Sequence, residues 1–481
     1  MAPADTTDQP ALLWFTRDLR LADHPALHAA TASGRPLLAC YVLDEHDGGD
    51  WAMGAASRWW LHTSLQSLAA ALAAIGGHLI LRRGDAHTQI LRLAREANAA
   101  ELHVGQPVEP AARATLDRIA TALAAHGCTT HRHWTTLLFD PDQLSTQSGT
   151  PYGVFTPFSK ACFAAGVQPD PTPRPRHIRP AAALPSDPLN SWSLLPTHPD
   201  WAGGLRDAWT PGEIPAQKRL AAFLKTTVAT YAETRNLPGE DGVSRLSPYL
   251  HWGEISPHEV WRAAAEHQGA GPRSFLSELL WREFSAYLLW HHPTLPDAPL
   301  RPAFAAMRWR RDPAGLHAWQ RGQTGIPMVD AGMRQLWQTG WQHNRVRMIT
   351  ASFLIKHLLI DWREGEAWFW DCLVDADLAS NSASWQWVAG SGADAAPFFR
   401  VFNPALQGAK FDAGGAYVRR YVPELAKLED RYLHAPWDAP PLALAAAGIT
   451  LGKTYPAPII DLAAGRARAL EEFAQVTGKA A

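Results

Sequence analysis

The chain is expected to fold as an α/β N-terminal domain with a Rossmann-like parallel sheet, followed by an all-α C-terminal domain. Three features of its 481 residues carry that expectation. Over the first 140 residues, short apolar runs alternate with segments of helical period, the pattern of parallel strands joined by helices. From about residue 166 to 215 the periodicity stops and proline dominates. Beyond 215 almost every segment has helical period. The expected organisation is an α/β domain at 1–140, a long proline-rich interdomain linker at 141–215 and a helical domain at 216–481.

ALLWF and PLLACYVL are apolar runs of strand length and read as buried strands. ASRWWLHTSLQSLAAALAAIGG has helical period and stops at glycine. HLILRRG is strand-like, AHTQILRLAREANA helical, ELHVG a strand and AARATLDRIATALAAHG a helix. This half contains no GxGxxG and no GxxxxGK(S/T), so neither a dinucleotide fingerprint nor a P-loop has support there. VQPDPTPRPRHIRPAAALPSDPLNSW is too rich in proline for a helix. ISPHEVWRAAAEHQ then opens with Ser256 as N-cap, Pro257 in the first turn and Glu259 three residues after the cap, a capping box. SFLSELLWREFSAYLLWHH, VDAGMRQLWQTG and HNRVRMITASFLIKHLLID follow as amphipathic or buried helices. No repeat of solenoid period is present.

Composition narrows the class. No apolar run reaches the roughly 18 residues of a membrane span, and MAPADTTDQP lacks the basic and apolar parts of a signal peptide. A cytoplasmic protein with no membrane partner is expected. Cys40, Cys128, Cys162 and Cys372 are far apart and form no CxxC pair, which argues against a zinc or iron–sulfur centre. The net charge of −2 gives no global attraction to nucleic acid. Its distribution does: Arg301, Arg308, Arg310, Arg311, Arg321, Arg334, Arg345 and Arg347 face only Asp312 and Asp330 between 301 and 350. Interleaved Trp309, Trp319, Trp337 and Trp341 favour a surface that holds nucleic acid over a merely solvated basic face.

Helical spacing puts Glu278, Trp281, Arg282 and Ser285 on one face, and aligns Trp341, Asn344, Arg345 and Met348 on another. Each face joins a flat aromatic, a cation and a polar group, which suits a planar heterocycle; taken singly, each is equally a packing face or a surface pair. Ser244, Arg245 and Ser247 at a helix start offer an anion site, or plain capping. DADLASNSASWQW sets Asp375, Asp377 and Asn381 among small residues and ends on Trp385 and Trp387. Carboxylates and an amide beside room for close approach suit a flavin ring, and indoles nearby can pass it electrons.

RLSPYLHWGEISP, ELLWREF, GIPMVDAGMRQLWQTGWQHNRVRMITASFLIKHLLIDWREGE and DADLASNSASWQWVAGSGADAAPFFRVFNP resemble the photolyase/cryptochrome family over almost the whole chain. LLWFTRDLRLADHPAL fits that family's opening signature. The resemblance implies a helical domain holding FAD, active when fully reduced, and light-driven repair of a pyrimidine dimer flipped out of DNA. It places Tyr231, Ser244, Arg245, Leu246 and Ser247 at the FAD phosphates and ribityl chain, with Val243 standing where many relatives have threonine. It pairs Arg347 with Asp375 beside the flavin, adds Asp377 to the pocket and sets Asn381 against flavin N5. Glu278, Trp281, Asn344, Arg345, Met348 and Trp387 match lesion-contacting positions, Arg282 belongs to the same DNA-facing set, and Arg235 matches a phosphate contact. Trp385, Trp362 and Trp309 match the tryptophan chain that photoreduces FAD.

Asn344 and Met348 favour a cyclobutane dimer, because (6-4) photolyases carry histidines at those positions. The rival class is a cryptochrome-type blue-light sensor. For a second, antenna chromophore a folate held differently, a deazaflavin, a flavin and an empty site all stay open, since Pro110-Ala111 stand where folate-binding relatives have Asn-Glu. The expected partner is UV-damaged DNA, bound by a monomer without a metal.

Overall fold

The structure is a computed structural model that describes residues 8–46, 48–168, 170–398 and 400–477. It divides into two compact units. The first comprises Met1–Ala229, Ser244–Pro293 and Val374–Ala379, and the second Thr230–Val243, Thr294–Leu373 and Ser380–Ala481.

The first unit is built on five parallel strands, β1 (Ala11–Phe15), β2 (Leu37–Leu43), β3 (Leu79–Arg83), β4 (Glu101–Gly105) and β5 (Thr129–His133), in the order β3-β2-β1-β4-β5. Both apolar runs read from the sequence as buried strands are buried at every position, because helices cover both faces of a parallel sheet. Leu12, Leu38, Ile80 and Leu102 pack on one face against Ile90, Leu116 and Ile119 of the helices Ala86–Ala97 and Pro110–Ala124. Two elements carry no apolar-period signal. β5 reads TTHRH and has no apolar residue at all. The helix Pro25–Ala32 spans only eight residues and is started by His24, whose Nδ1 accepts from the Leu27 N–H at 3.1 Å.

The segment expected to be linker is not wholly irregular. It contains the helices Phe155–Ala165 and Gly203–Ala208. The helix Ala270–His291, expected in the helical domain, belongs to the first unit. Its inner face explains why: the Tyr287 hydroxyl donates to the Leu144 carbonyl at 2.8 Å, and the Glu283 carboxyl accepts from the Leu138 N–H at 2.8 Å.

The opening signature has a structural reason. Arg20 is fully buried, and its guanidinium donates to the carbonyls of Ala22, Asp23, Thr135 and Gly253. Gly253 has φ +60°, and a Cβ there would lie 2.2 Å from the Arg17 carbonyl oxygen, so only glycine lets the two segments meet. Next to it, Glu254 is buried and accepts from Trp60 Nε1 at 3.2 Å and from the Ser64 hydroxyl.

Burial pushes the Glu254 carboxyl up to about 8, from an ordinary 4.5. The fold therefore holds the proton more tightly than the unfolded chain does, and this contribution is complete below about pH 4.5 and lost as pH rises through about 8. Glu254→Gln keeps the shape without the ionisation. Thermal melts between about pH 5 and 9 should fall less steeply for the variant than for the parent; equal slopes would show that Glu254 carries no such linkage.

The second unit is mainly helical. Gly332, in the helix Pro327–Thr339, lies so close to the helix Asn344–Ser352 that a Cβ would meet Val346 Cγ1 at 2.5 Å. The helix expected to run on through residue 361 changes at Phe353–His357 to a π-helical turn. In the first unit, Ser256 caps the helix Pro257–Ala265 as expected, accepting from His258 N at 3.1 Å. Its intended partner Glu259 hydrogen-bonds Gln217 instead.

Candidate functional site

In the first unit the anion-site residues form a strained turn. Arg245 has φ +51°, a left-handed conformation that costs a non-glycine residue on the order of 1–3 kcal/mol. The helix that follows, Ser247–His251, is only five residues long, and its N-cap is Leu246 rather than a serine. Ser244 Oγ accepts from Leu246 N at 3.4 Å, so the hydroxyl shapes the turn. The loop bearing Asp375 and Asp377 is fastened beside this helix: Trp252 Nε1 donates to the Val374 carbonyl at 3.1 Å, and His251 Nδ1 lies 4.0 Å from Asp377. Burial pushes His251 down to about 3, with Arg17 and Arg282 adding to it and Asp377 opposing, so the imidazole is neutral at pH 7.

Glu278, Trp281 and Arg282 do share one face of a continuous helix, and all three are partly exposed. Trp281 stacks on Phe155 at 3.7 Å between ring centroids and 8° between planes. That contact fixes the indole at a set angle. Arg282 Nη1 is held 3.0 Å from Glu283 Oε1.

The second face is not assembled as expected. Trp341 precedes the helix, which starts at Asn344 behind the N-cap His343, and it is buried. Asn344, Arg345 and Met348 remain on the helix, with Asn344 exposed and the other two half-buried.

The long arginine run also separates. Arg308 is paired with Glu472 at 2.7 Å and Arg334 with Glu424 at 2.9 Å. Trp319 is fully buried, its indole N–H on the Thr350 carbonyl, and Trp337 stacks on Trp368. What gathers instead is a smaller cationic group. Arg345 donates to Asn236 Oδ1 at 2.7 Å and lies 4.6 Å over Phe411. Burial, then Arg235 and Arg400, hold its guanidinium below the ordinary arginine value. Arg345, Arg400, Lys410, Phe402 and Phe411 line one cavity of about 410 Å³, and Arg235 lies 5.6 Å over Tyr231. Like charges held this close favour an anion between them.

Sequence reasoning missed Arg400, Lys410 and Asn236, because they come from segments distant in the chain. The only cue was the arginine at the end of DAAPFFR. Arg400→Ala should weaken binding of DNA and make the slope of log affinity against log salt shallower by about 0.9, the value of one phosphate contact. An unchanged slope in a salt titration would remove Arg400 from the interface.

Asn381 is buried, and its Nδ2 donates to the Glu366 carbonyl at 3.0 Å. That leaves the amide oxygen as the group able to accept. Beside it Ser382 Oγ donates to Glu366 Oε1 at 2.5 Å. Burial raises the Glu366 carboxyl well above the usual range, and its buried Oε2 has no hydrogen-bond partner among the described residues. An unpartnered buried oxygen beside an amide fits a site made for a polar ring. Arg347 Nε donates to the Gln342 carbonyl at 2.7 Å, which orients the guanidinium.

Trp385 and Trp362 are buried, whereas Trp309 and Trp387 are partly exposed. The rings in contact with Trp385 are Phe369 at 5.0 Å and Trp319 at 6.2 Å.

A parallel α/β sheet unit beside a mainly helical unit with a cationic cavity is the architecture to set against known proteins. Residues 11–176 match the description DNA photolyase, and residues 275–475 match the FAD binding domain of DNA photolyase. A deoxyribodipyrimidine photo-lyase of Agrobacterium fabrum is 48% identical over 472 residues, covering 97% of this chain and 98% of the relative. Cryptochrome-1 of Arabidopsis thaliana is 35% identical, covering 97% of this chain and 70% of the relative. The crystal structure of a bacterial class III photolyase from Agrobacterium tumefaciens superposes with a TM-score of 0.95 at 47% identity, and both chains are covered completely. The chain belongs to the photolyase/cryptochrome family, and it carries that family's FAD-binding domain.

Proposed function

We propose that this protein is a light-dependent DNA-repair enzyme, a deoxyribodipyrimidine photo-lyase that splits cyclobutane pyrimidine dimers in UV-damaged DNA. The observation that carries the reading is the cationic cavity of Arg345, Arg400 and Lys410, sited at the helix that also bears Asn344 and Met348. When bound, reduced FAD supplies the electron that light excites.

Tyr231, Ser244, Arg245, Leu246, Ser247, Arg347, Asp375, Asp377 and Asn381 would hold that cofactor. The left-handed turn at Arg245 would offer backbone and guanidinium to its phosphates, and the Asn381 oxygen would offer an acceptor that cannot itself donate. Arg235, Arg282 and Arg345 would neutralise DNA phosphates. Trp281, pinned by Phe155, and Trp387 would stack on the extruded bases, while Asn344 and Met348 shape the lesion pocket. Glu278 would accept from or donate to a thymine edge and stabilise charge that develops there. Trp309, Trp362 and Trp385 would carry electrons from solvent.

No described helix is long and apolar enough to cross a membrane; a cytoplasmic monomer fits a repair enzyme that reads DNA shape.

The test is to follow cyclobutane dimers in UV-irradiated oligo(dT) under blue light with the flavin reduced. Dimers should disappear in light and persist in darkness. A level count in light would replace the enzyme by a light sensor, and repair of a (6-4) lesion instead would change the substrate. Glu278→Ala should keep the flavin spectrum and lower repair by about a hundredfold, the scale of losing one group that stabilises developing charge. Loss of flavin in that variant would mean that Glu278 holds the cofactor.

A further inference from the structure

The polar face of the outermost strand pair is left unused by any of this. β4 and β5 run parallel with His103 opposite His131 and Gly105 opposite His133. Strand alternation sends Leu102 and Val104 into the apolar core, so Glu101 and His103 share the opposite face. His131 and His133 join them there. The three imidazoles are stacked, with His103 centred 4.7 Å from His131 and 5.4 Å from His133, each inclined by 19°. One ligand atom from each of Glu101, His103 and His131 lies within 4.8 Å of the others.

We propose that this face binds a zinc ion, with Glu101, His103 and His131 as ligands and water in the fourth position. Two imidazoles and a carboxylate are a zinc donor set, and imidazole nitrogen disfavours magnesium or calcium. The supporting contacts that a metal site needs are already present. Arg35 Nε donates to Glu101 Oε1 at 3.2 Å, which leaves Oε2 turned towards His103 Nε2 at 3.1 Å. The other nitrogen of His103, Nδ1, lies 3.2 Å from His133 Nε2. Zinc takes the Nε2 lone pair of neutral His103, whose one proton then sits on Nδ1 and is donated to His133 Nε2, so no proton is released; this is the outer hydrogen bond that orients most zinc-bound histidines.

His103 is buried, whereas Glu101 and His131 are partly open, so an ion enters from the sheet edge. Zinc here ties the edge strand β5, which has no apolar side chain to hold it, to β4. The spacing of cysteines pointed away from a metal; the histidines come together only through strand pairing.

Tag-free, chelator-treated flavoprotein should be titrated with zinc by calorimetry, with magnesium as control. One zinc per chain is expected, with a rise in melting temperature that magnesium does not produce. His131→Gln and Glu101→Gln, checked as folded by their bound-flavin spectra, should each lose that site and the shift. His133→Ala should bind about 10–100-fold more weakly, the usual cost of an outer partner. Absence of zinc uptake by the parent protein, or equal uptake by the parent and His131→Gln, would overturn the proposal. Loss in His133→Ala without loss in His131→Gln would overturn it as well.

Discussion

Asp330→Ala is expected to destabilise the protein by about 3 kcal/mol, the upper end of what a buried donor left without an acceptor costs. Asp330 is fully buried and accepts from Thr324 N at 2.7 Å, Thr324 Oγ1 at 2.6 Å, Gly325 N at 3.0 Å and the Tyr455 hydroxyl at 2.7 Å. Burial raises its carboxyl above the ordinary value, opposed by the hydrogen bonds from Thr324 and Tyr455 and by the charge of Arg334. Alanine leaves all four donors buried without an acceptor, and such groups cost more than the bonds were worth. Asp330 sits in the helix Pro327–Thr339, against which the helix bearing Asn344, Arg345 and Met348 packs. The variant should therefore lose DNA binding along with its denaturant midpoint. An unfolding free energy within about 0.5 kcal/mol of the parent's, the range of ordinary surface changes, would refute the network's importance.

Trp385→Phe should abolish light-driven reduction of oxidised flavin, yet leave repair by chemically reduced enzyme near the parent rate. Phenylalanine fills most of the volume against Phe369 and Trp319 but lacks the readily oxidised indole. The site tolerates no enlargement: a Cβ on Gly365 would lie 2.1 Å from Trp385 Cη2 and 2.7 Å from Leu354 Cδ2. Gly365→Val should thus displace the indole, overpack the core by about 1–3 kcal/mol and slow photoreduction too. Bleaching of the oxidised flavin band under blue light, with an external reductant, reads both variants. Undiminished photoreduction in Trp385→Phe would take Trp385 out of the electron path.

Most strands and helices were legible because their apolar residues repeat at the period of the element that buries them. β1 and β2 are continuous apolar runs, and Ala270–His291 follows the pattern read from SFLSELLWREFSAYLLWHH. β5 was not legible, since a strand of threonine, histidine and arginine carries no such period. Trp341 was assigned to a helix that His343 begins two residues later, because spacing alone cannot tell a helical turn from the loop that precedes it.

Local pattern thus settled most of the strands and helices, and the motifs settled the family and its FAD domain, because both are written in neighbouring residues. Which cations gather in one place was settled by packing. Arg308 and Arg334 are neutralised by Glu472 and Glu424, which lie far along the chain, while Arg235, Arg345 and Arg400 are drawn together from three separate segments. Charge acts through space rather than along the backbone, so the arrangement of the helices chose which cations cluster.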